Sequence, residues 1–502
     1  RLRSCSALAQ AGAGGACPSA RRRRCSSGGA MADETELETP LLLGATDAGP
    51  RPFRWKAEAG QIWALAWPIA ASTVCRYFMA TTDAAFVGHL EDGRHSPGQY
   101  MAAAALADCV QSVLVSPPCA FSFSLNPLVA QALGAGNTKL AGIWLQLGVL
   151  FTAIANLPSI IAFFYVGDIM RLLGFDEELC ELGRVYSIYS WPWLIPNLWY
   201  QCMRFYFQAL GLPRPALWNN LVFTAVNFGL NWTLVLGIPG VVPGLGFKGS
   251  PISLSISRSL QPLFYWLYMF GWRKAHVEKD AWPGWTTEAL QYRRLRAYLS
   301  QALPMTGAIL AQSAVGQVQT LMIASLGPTA VAANNAVSML MALISGGVGS
   351  SLATAASIRV GFHLGAGDPM SARKSATLVL YAILAFGLAV AGPLVLMRRW
   401  VVEAMTLDGV VDALASRVVP ALVAGATLSL VINAGTEGVF AGQGRPGLTA
   451  FLSFVADMPL TIGGTAAMVF YLKWDLVRLS WGQAAIAALE ALGVLVIWFF
   501  FS

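Results

Sequence analysis

Apolar residues in this chain come in long, nearly unbroken runs rather than in the strict alternation of a half-buried strand. The runs fall at roughly 60–86, 99–125, 142–166, 184–208, 215–238, 250–272, 298–326, 331–358, 374–398, 414–441, 447–472 and 481–502. A helix crossing a bilayer needs about 20 apolar residues, so each run is long enough to span one. The pattern predicts an all-α membrane protein of about twelve transmembrane helices. Prolines sit inside most of the runs, among them Pro68, Pro117, Pro118, Pro158, Pro192, Pro196, Pro304, Pro393, Pro420 and Pro459. Inside a water-soluble helix each would cost about 3 kcal/mol. In a membrane bundle neighbouring helices re-satisfy the freed carbonyls, and the break becomes a bend. Pro68 and Pro304 are therefore expected hinges.

Composition agrees with lipid as the solvent. Hydrophobic residues make up 56% of the 502 positions and charged ones 12%, with mean hydropathy +0.57. A soluble domain carries roughly 25% charged residues. These figures exclude a secreted disulfide scaffold, a disordered protein and a nucleic-acid-binding domain. The net charge of +7 has no basic stripe with interleaved aromatics behind it, so it is read as positive flanks of membrane spans. The cysteines imply neither a metal site nor a disulfide framework: Cys5, Cys17 and Cys25 lie in the polar head, Cys180 in a loop, and Cys75, Cys109, Cys119 and Cys202 in apolar runs. No nucleotide loop, zinc motif or nucleophile constellation is present, so an enzyme is not expected.

Residues 1–59 read as a disordered tail. The first methionine is Met31, so residues 1–30 are expected to be untranslated, with a Ser/Arg-rich transit peptide as the alternative. Glu38-Thr-Pro-Leu-Leu42-Leu43 fits an acidic dileucine signal and points to a vacuolar or lysosomal membrane, with the plasma membrane as the other destination. The longest internal polar stretch, 273–297, holds Arg273, Lys274, Lys279, Arg293, Arg294 and Arg296. Read as cytoplasmic, it joins a first six-helix lobe (60–272) to a second (298–502) and places both termini in the cytoplasm.

The two lobes repeat each other. Leu133-Gly-Ala-Gly-Asn137 returns as Leu364-Gly-Ala-Gly-Asp368, Phe207-Gln-Ala-Leu-Gly211 as Phe440-Ala-Gly-Gln-Gly444, and Pro68 as Pro304, at offsets of 231 to 236 residues. Six spans return the chain to its starting side, so these are parallel repeats about an axis along the membrane normal. Such a plan suits alternating access around a cavity between the lobes.

The same residues carry a family resemblance. Pro68, then Asp83, then Val87-Gly-His-Leu90 resembles the first-span signature of the multidrug and toxic compound extrusion (MATE) family. Leu133-Gly-Ala-Gly-Asn137 resembles that family's loop after the second span, and Arg359-Val-Gly-Phe-His-Leu-Gly-Ala-Gly-Asp368 its counterpart after the eighth. Asn227-Phe-Gly-Leu-Asn231-Trp-Thr-Leu-Val resembles its fifth span, and the similarity runs over roughly residues 60–500. The resemblance implies a twelve-helix antiporter that expels organic compounds, typically cations, in exchange for H+ or Na+.

Ionisable groups inside spans are functional candidates by default. Asp83 lies in an otherwise apolar stretch, where loss of hydration disfavours the anion, so it could hold a proton and release it when water or a cation arrives. Asn227 and Asn231, four residues apart, share one helical face; their amide oxygens could coordinate a cation or hold Asp83. The resemblance makes these two positions the rest of the first lobe's ion site. Helix–helix glue is the simpler reading. Ser253 and Ser255 could add oxygens. In the second lobe, positions where the family often carries acids are Gln312 and Gln317, while Glu437 lies a few residues from the usual tenth-span acid. Glutamines do not titrate, so coupling is expected through the first lobe, with Gln312, Gln317, Glu437 and Arg76 as candidates for a substrate cavity. Arg76 precedes Asp83 by about two turns, roughly 10.5 Å of rise. Arg204 is expected to snorkel, and Arg258 lies within the sixth span. Asp108, Asp457 and Glu490 are expected at interfaces or paired with neighbours.

The expected protein is a monomeric secondary-active antiporter exporting small organic, chiefly cationic, molecules through coupling at Asp83, Asn227 and Asn231. Its partners are the substrate and membrane lipid, with no nucleic acid. It needs no cofactor beyond the coupling ion and no metal other than Na+, which Asp83 could take in place of a proton. Three arginines in a cavity would suit organic acids such as citrate instead, and a flippase for lipid-linked precursors is the alternative of another class.

Overall fold

The computed structural model describes residues 53–90, 95–238, 242–403 and 409–501. Most of the expected tail, with Arg21–Arg24, Glu38 and the dileucine pair Leu42 and Leu43, lies outside these residues, as does Arg94. Twelve long helical runs succeed one another: Trp55–Val87, Pro97–Gly134, Thr138–Phe163, 177–209, 214–236, 249–272, Tyr292–Ala324, 328–365, Pro369–Leu396, 409–440, Pro446–Tyr471 and Leu476–Phe501, the first to twelfth helices below. The expected all-α membrane fold is the observed one. Among the described residues the strands amount to a ladder pairing Gly237–Ile238 with Val242–Pro243, between the fifth and sixth helices.

Six runs are long and apolar enough to cross a membrane by length and composition alone: the second, third, ninth, tenth, eleventh and twelfth. The fourth is interrupted by the tight turn Trp191–Trp193 around Pro192. Pro68 and Pro304 lie inside the first and seventh helices.

Several boundaries shift, two of them at helix starts for the same reason. The first helix begins at Trp55 rather than 60, and the seventh at Tyr292 rather than 298. In both places the first turns are polar, so the apolar run begins later than the helix. The segment between the sixth and seventh helices contains the turns Ala275–Glu278 and Thr287–Leu290. It is fastened to the first half: Gln146 Nε2 donates to the Gly284 carbonyl at 2.6 Å, and the Tyr206 hydroxyl to that of Ala281 at 2.8 Å.

The repeated motifs are helix junctions. Gly136 and Gly367 adopt left-handed backbone, φ 73° and 75°, the conformation that ends a helix and that glycine adopts without strain. The next residue then caps the following helix. Asn137 Oδ1 accepts from the Leu140 N–H at 3.1 Å, and Asp368 Oδ1 from that of Ser371 at 2.9 Å. Burial works against the charged form of Asp368, but the hydrogen bonds from Ser371 hold its carboxyl below the ordinary range. Gly211 and Gly444, φ 82° and 72°, close the fourth and tenth helices in the same way. The sequence repeat is thus a repeat of caps.

The other motif glycines bring the two halves into contact. A Cβ on Gly134 would sit 2.0 Å from the Phe362 carbonyl oxygen, and one on Gly365 would sit 2.2 Å from that of Gln131. These positions are equivalents in the repeat, so the second and eighth helices meet backbone to backbone about the repeat axis. Backbone cannot rotate away as a side chain can. Gly134→Ala or Gly365→Ala is therefore expected to cost about 1–3 kcal/mol by overpacking, seen as a lowered Tm in detergent. Gly392→Ala, with nothing within 4 Å of the added carbon, should leave Tm unchanged or raised.

Beside this crossing lies a buried polar cluster. Glu58, near the start of the first helix, accepts from Arg359 Nε at 2.9 Å and Nη2 at 2.7 Å, and from the Ser375 hydroxyl at 2.8 Å. His363 Nε2 lies 3.2 Å from the same carboxylate. The Arg359 and Glu58 side chains are 5% and 7% exposed. One end of the first helix is thereby fixed to the eighth and ninth helices.

Candidate functional site

The other end of the first helix is held by the fifth. Asp83 is 6% exposed, and its Oδ1 accepts from Asn227 Nδ2 at 3.1 Å and Asn231 Nδ2 at 2.7 Å. The helical spacing of the two asparagines aims both amides at one carboxylate oxygen, as their four-residue separation predicts. Asn231 Nδ2 also donates to the Asn227 carbonyl at 3.0 Å. About two turns earlier in the fifth helix and three turns earlier in the first, Asn220 Nδ2 donates to the Ser72 hydroxyl and, at 3.1 Å, to the Ser72 carbonyl. The first and fifth helices are therefore joined by polar contacts along their length. Asn227 Oδ1 and Asn231 Oδ1 are buried with no hydrogen-bond partner among the described residues. A carboxylate beside two free amide oxygens is a donor set that fits Na+, or a carboxyl proton.

Asp83 opens onto a cavity of about 430 Å³ whose charged and polar lining includes Arg76, Asp108, Gln111, Trp193 and Arg258. The lining comes from the first, second, fourth and sixth helices, so the cavity lies within the first half. A half already contains six helices, enough to enclose a pocket of its own.

The candidates from sequence divide accordingly. Arg76 lines the cavity, and among the described residues it makes no ion pair with Asp83. Gln312, Gln317 and Glu437 lie outside it. Gln317 Oε1 instead accepts from Cys109 Sγ at 2.9 Å, linking the seventh helix to the second. Glu437 lies in a π-helical stretch, Ala434–Phe440. Ser255 donates to the Tyr189 carbonyl at 2.7 Å, and neither it nor Ser253 lines the cavity. Arg204 does not snorkel. It is buried, with its guanidinium 4.6 Å above the Phe205 ring, because it sits on the packed face of the fourth helix. Asp457 and Glu490 are joined through Thr461, whose hydroxyl lies 3.1 and 3.0 Å from them.

Two groups belong to the site that sequence reasoning placed elsewhere or left without a role. Asp108, expected at an interface, faces the cavity, which Tyr186 also lines. Its position inside an apolar run was the signal that could have found it. Arg258 lines the same cavity as Asp83 and Asp108; its Cζ rests 4.8 Å above the Trp193 ring centre. Asp83 is thus neither exposed to bulk water nor closed in an ion pair with arginine.

Known proteins of similar sequence and fold are numerous. A family model, MatE, matches residues 68–233 and again 304–464, one match in each half. Multidrug and toxin extrusion protein 2 of Mus musculus is 26% identical over 457 residues, covering 91% of this chain and 76% of that protein. Protein DETOXIFICATION 55 of Arabidopsis thaliana is 26% identical over 453 residues, covering 84% and 83%. A probable multidrug resistance protein NorM of Synechococcus sp. is 26% identical over 441 residues, covering 86% and 91%. Among solved structures, the eukaryotic MATE transporter AtDTX14 superposes with a TM-score of 0.78 at 20% identity, over 89% of this chain and 96% of that one. With the family model matched in both halves and the fold shared, the chain belongs to the MatE family of integral membrane transporters.

Proposed function

We propose that this transporter is an antiporter that exports small organic cations in exchange for H+ or Na+, with Asp83, Asn227 and Asn231 as the coupling site. The observation that carries the reading is the buried Asp83 carboxylate, held by two amides and facing a cavity large enough for a small molecule. The names of the relatives, multidrug and toxin extrusion and multidrug resistance, support export of foreign compounds. In the membrane we place both termini in the cytoplasm, at the plasma membrane or a vacuolar or lysosomal one.

Antiport requires one conformational equilibrium biased in opposite senses by ion and substrate. A positive substrate and a positive coupling ion compete for the negative charge of one cavity, which supplies that opposition. The first helix supplies the mechanical link. Glu58 ties one end to the second half, Asp83 ties the other to the fifth helix, and Pro68 lies between them. A proton or Na+ bound at Asp83 alters its hold on the fifth helix, and the bend at Pro68 converts that change into tilt.

Arg76 and Arg258 favour a second reading, export of organic anions. Purified protein in liposomes, loaded with ethidium or with citrate and given an imposed pH or Na+ gradient, separates the two. Gradient-driven efflux of ethidium but not citrate is expected. Efflux of citrate alone would replace cation export with the anion reading, and gradient-independent movement of both would remove antiport.

A further inference from the structure

Arg258 has an unusual setting for a guanidinium inside a membrane protein. It lies on the sixth helix, stacked on Trp193 of the fourth helix at 4.8 Å. Among the described residues no carboxylate stands within ion-pair distance of it, yet Asp83 of the first helix and Asp108 of the second line the same cavity. An indole face with two acids nearby is how a protein recognises a flat or quaternary organic cation. The place such a cation would take is filled by a side chain of the protein itself.

We propose that Arg258 is a tethered stand-in for the substrate: its guanidinium holds the cation seat on Trp193 between Asp83 and Asp108, and an exported cation binds by displacing it. The proposal deepens the export reading and rests on it for the identity of the ligand. It names Asp108 as the acid that meets the substrate's charge. Asp83 already accepts from two amides, while Asp108 is exposed to the cavity. It also gives the two arginines different roles. Arg76 contributes positive charge to the same cavity, but no aromatic ring lies under its guanidinium among the described residues.

The seat makes a testable claim about affinity. A tethered competitor lowers the apparent affinity for free cations by the fraction of time it occupies the seat. Removing it should raise affinity by about tenfold, the scale of a desolvated cation–π contact. The experiment is equilibrium binding of ethidium to the purified full-length protein in detergent, read by fluorescence. Arg258→Gln is expected to bind ethidium about tenfold more tightly than wild type. Arg258→Lys, which keeps a tethered cation, should stay near the wild-type value, and the Arg258→Gln gain should vanish when Trp193→Leu is added. Arg76→Gln removes the same charge without baring a ring and should give a clearly smaller gain.

Equal gains from Arg258→Gln and Arg76→Gln would overturn the seat in favour of bulk cavity charge. No gain from Arg258→Gln, with citrate binding lost, would make Arg258 an anion anchor instead. Liposome efflux is scored separately. A tenfold gain in binding alongside absent gradient-driven efflux keeps the seat and removes antiport, whereas normal efflux with unchanged affinity removes the seat alone.

Discussion

Asp83→Asn is expected to reduce gradient-driven export to the level of protein-free liposomes while leaving the protein folded. The substitution keeps a side-chain oxygen where Asp83 Oδ1 accepts from Asn227 and Asn231, so the join between the first and fifth helices survives. Replacing a buried anion by a neutral amide of the same shape should alter stability by about 1 kcal/mol or less, since the hydrogen bonds are conserved in number. Removed is the ability to take up a proton or to balance Na+. An imposed gradient then has no carboxylate to act on where the first helix meets the fifth, and the conformational equilibrium no longer responds to it. Efflux and melting measured on one preparation separate the outcomes: lost transport with retained Tm supports the assignment, and wild-type transport would remove it.

Glu58→Gln is expected to have the largest effect on stability. Glu58 and Arg359 are both buried, and two hydrogen bonds join them. Taking the charge from one partner leaves a guanidinium out of water without a counter-ion, with His363 beside it. Breaking one partner of such a pair costs about 3–5 kcal/mol, whereas replacing both by apolar residues is often close to neutral. Glu58→Gln and Arg359→Met should each lower Tm steeply, and Glu58→Met with Arg359→Met should recover most of the loss. Because the pair joins the first helix to the eighth and ninth, the recovered double variant should still transport poorly if the tie transmits movement, a readout that stability alone would not shift.

Much of this architecture was legible in the chain. Spans announce themselves through apolar length, and the motifs at 133–137 and 364–368 recur because a left-handed glycine followed by a capping Asn or Asp is a local solution to a tight helix–helix turn. Asn227 and Asn231 were readable for the same reason, since a four-residue interval fixes a shared face. What sequence could not supply was the rotation of one helix against another. Asp108 and Gln317 lie in similar apolar surroundings, yet one faces the cavity and the other meets Cys109. Arg76 stands near Asp83 in sequence, yet Arg258, 175 positions away from Asp83, lines the same cavity. Glu58 resembled tail because helices begin in polar turns that no apolar run marks, and its partner lies 301 residues on.

The central claim is that exported cation and coupling ion compete for the negative charge of one cavity. Its most direct test is ion release on substrate binding by purified protein in weakly buffered detergent solution. Ethidium is added while a pH indicator follows protons, and parallel samples loaded with radioactive sodium report its displacement. The account predicts that proton or sodium release tracks ethidium binding and disappears in Asp83→Asn. Saturable binding that releases neither ion, or equal release from Asp83→Asn, would contradict it.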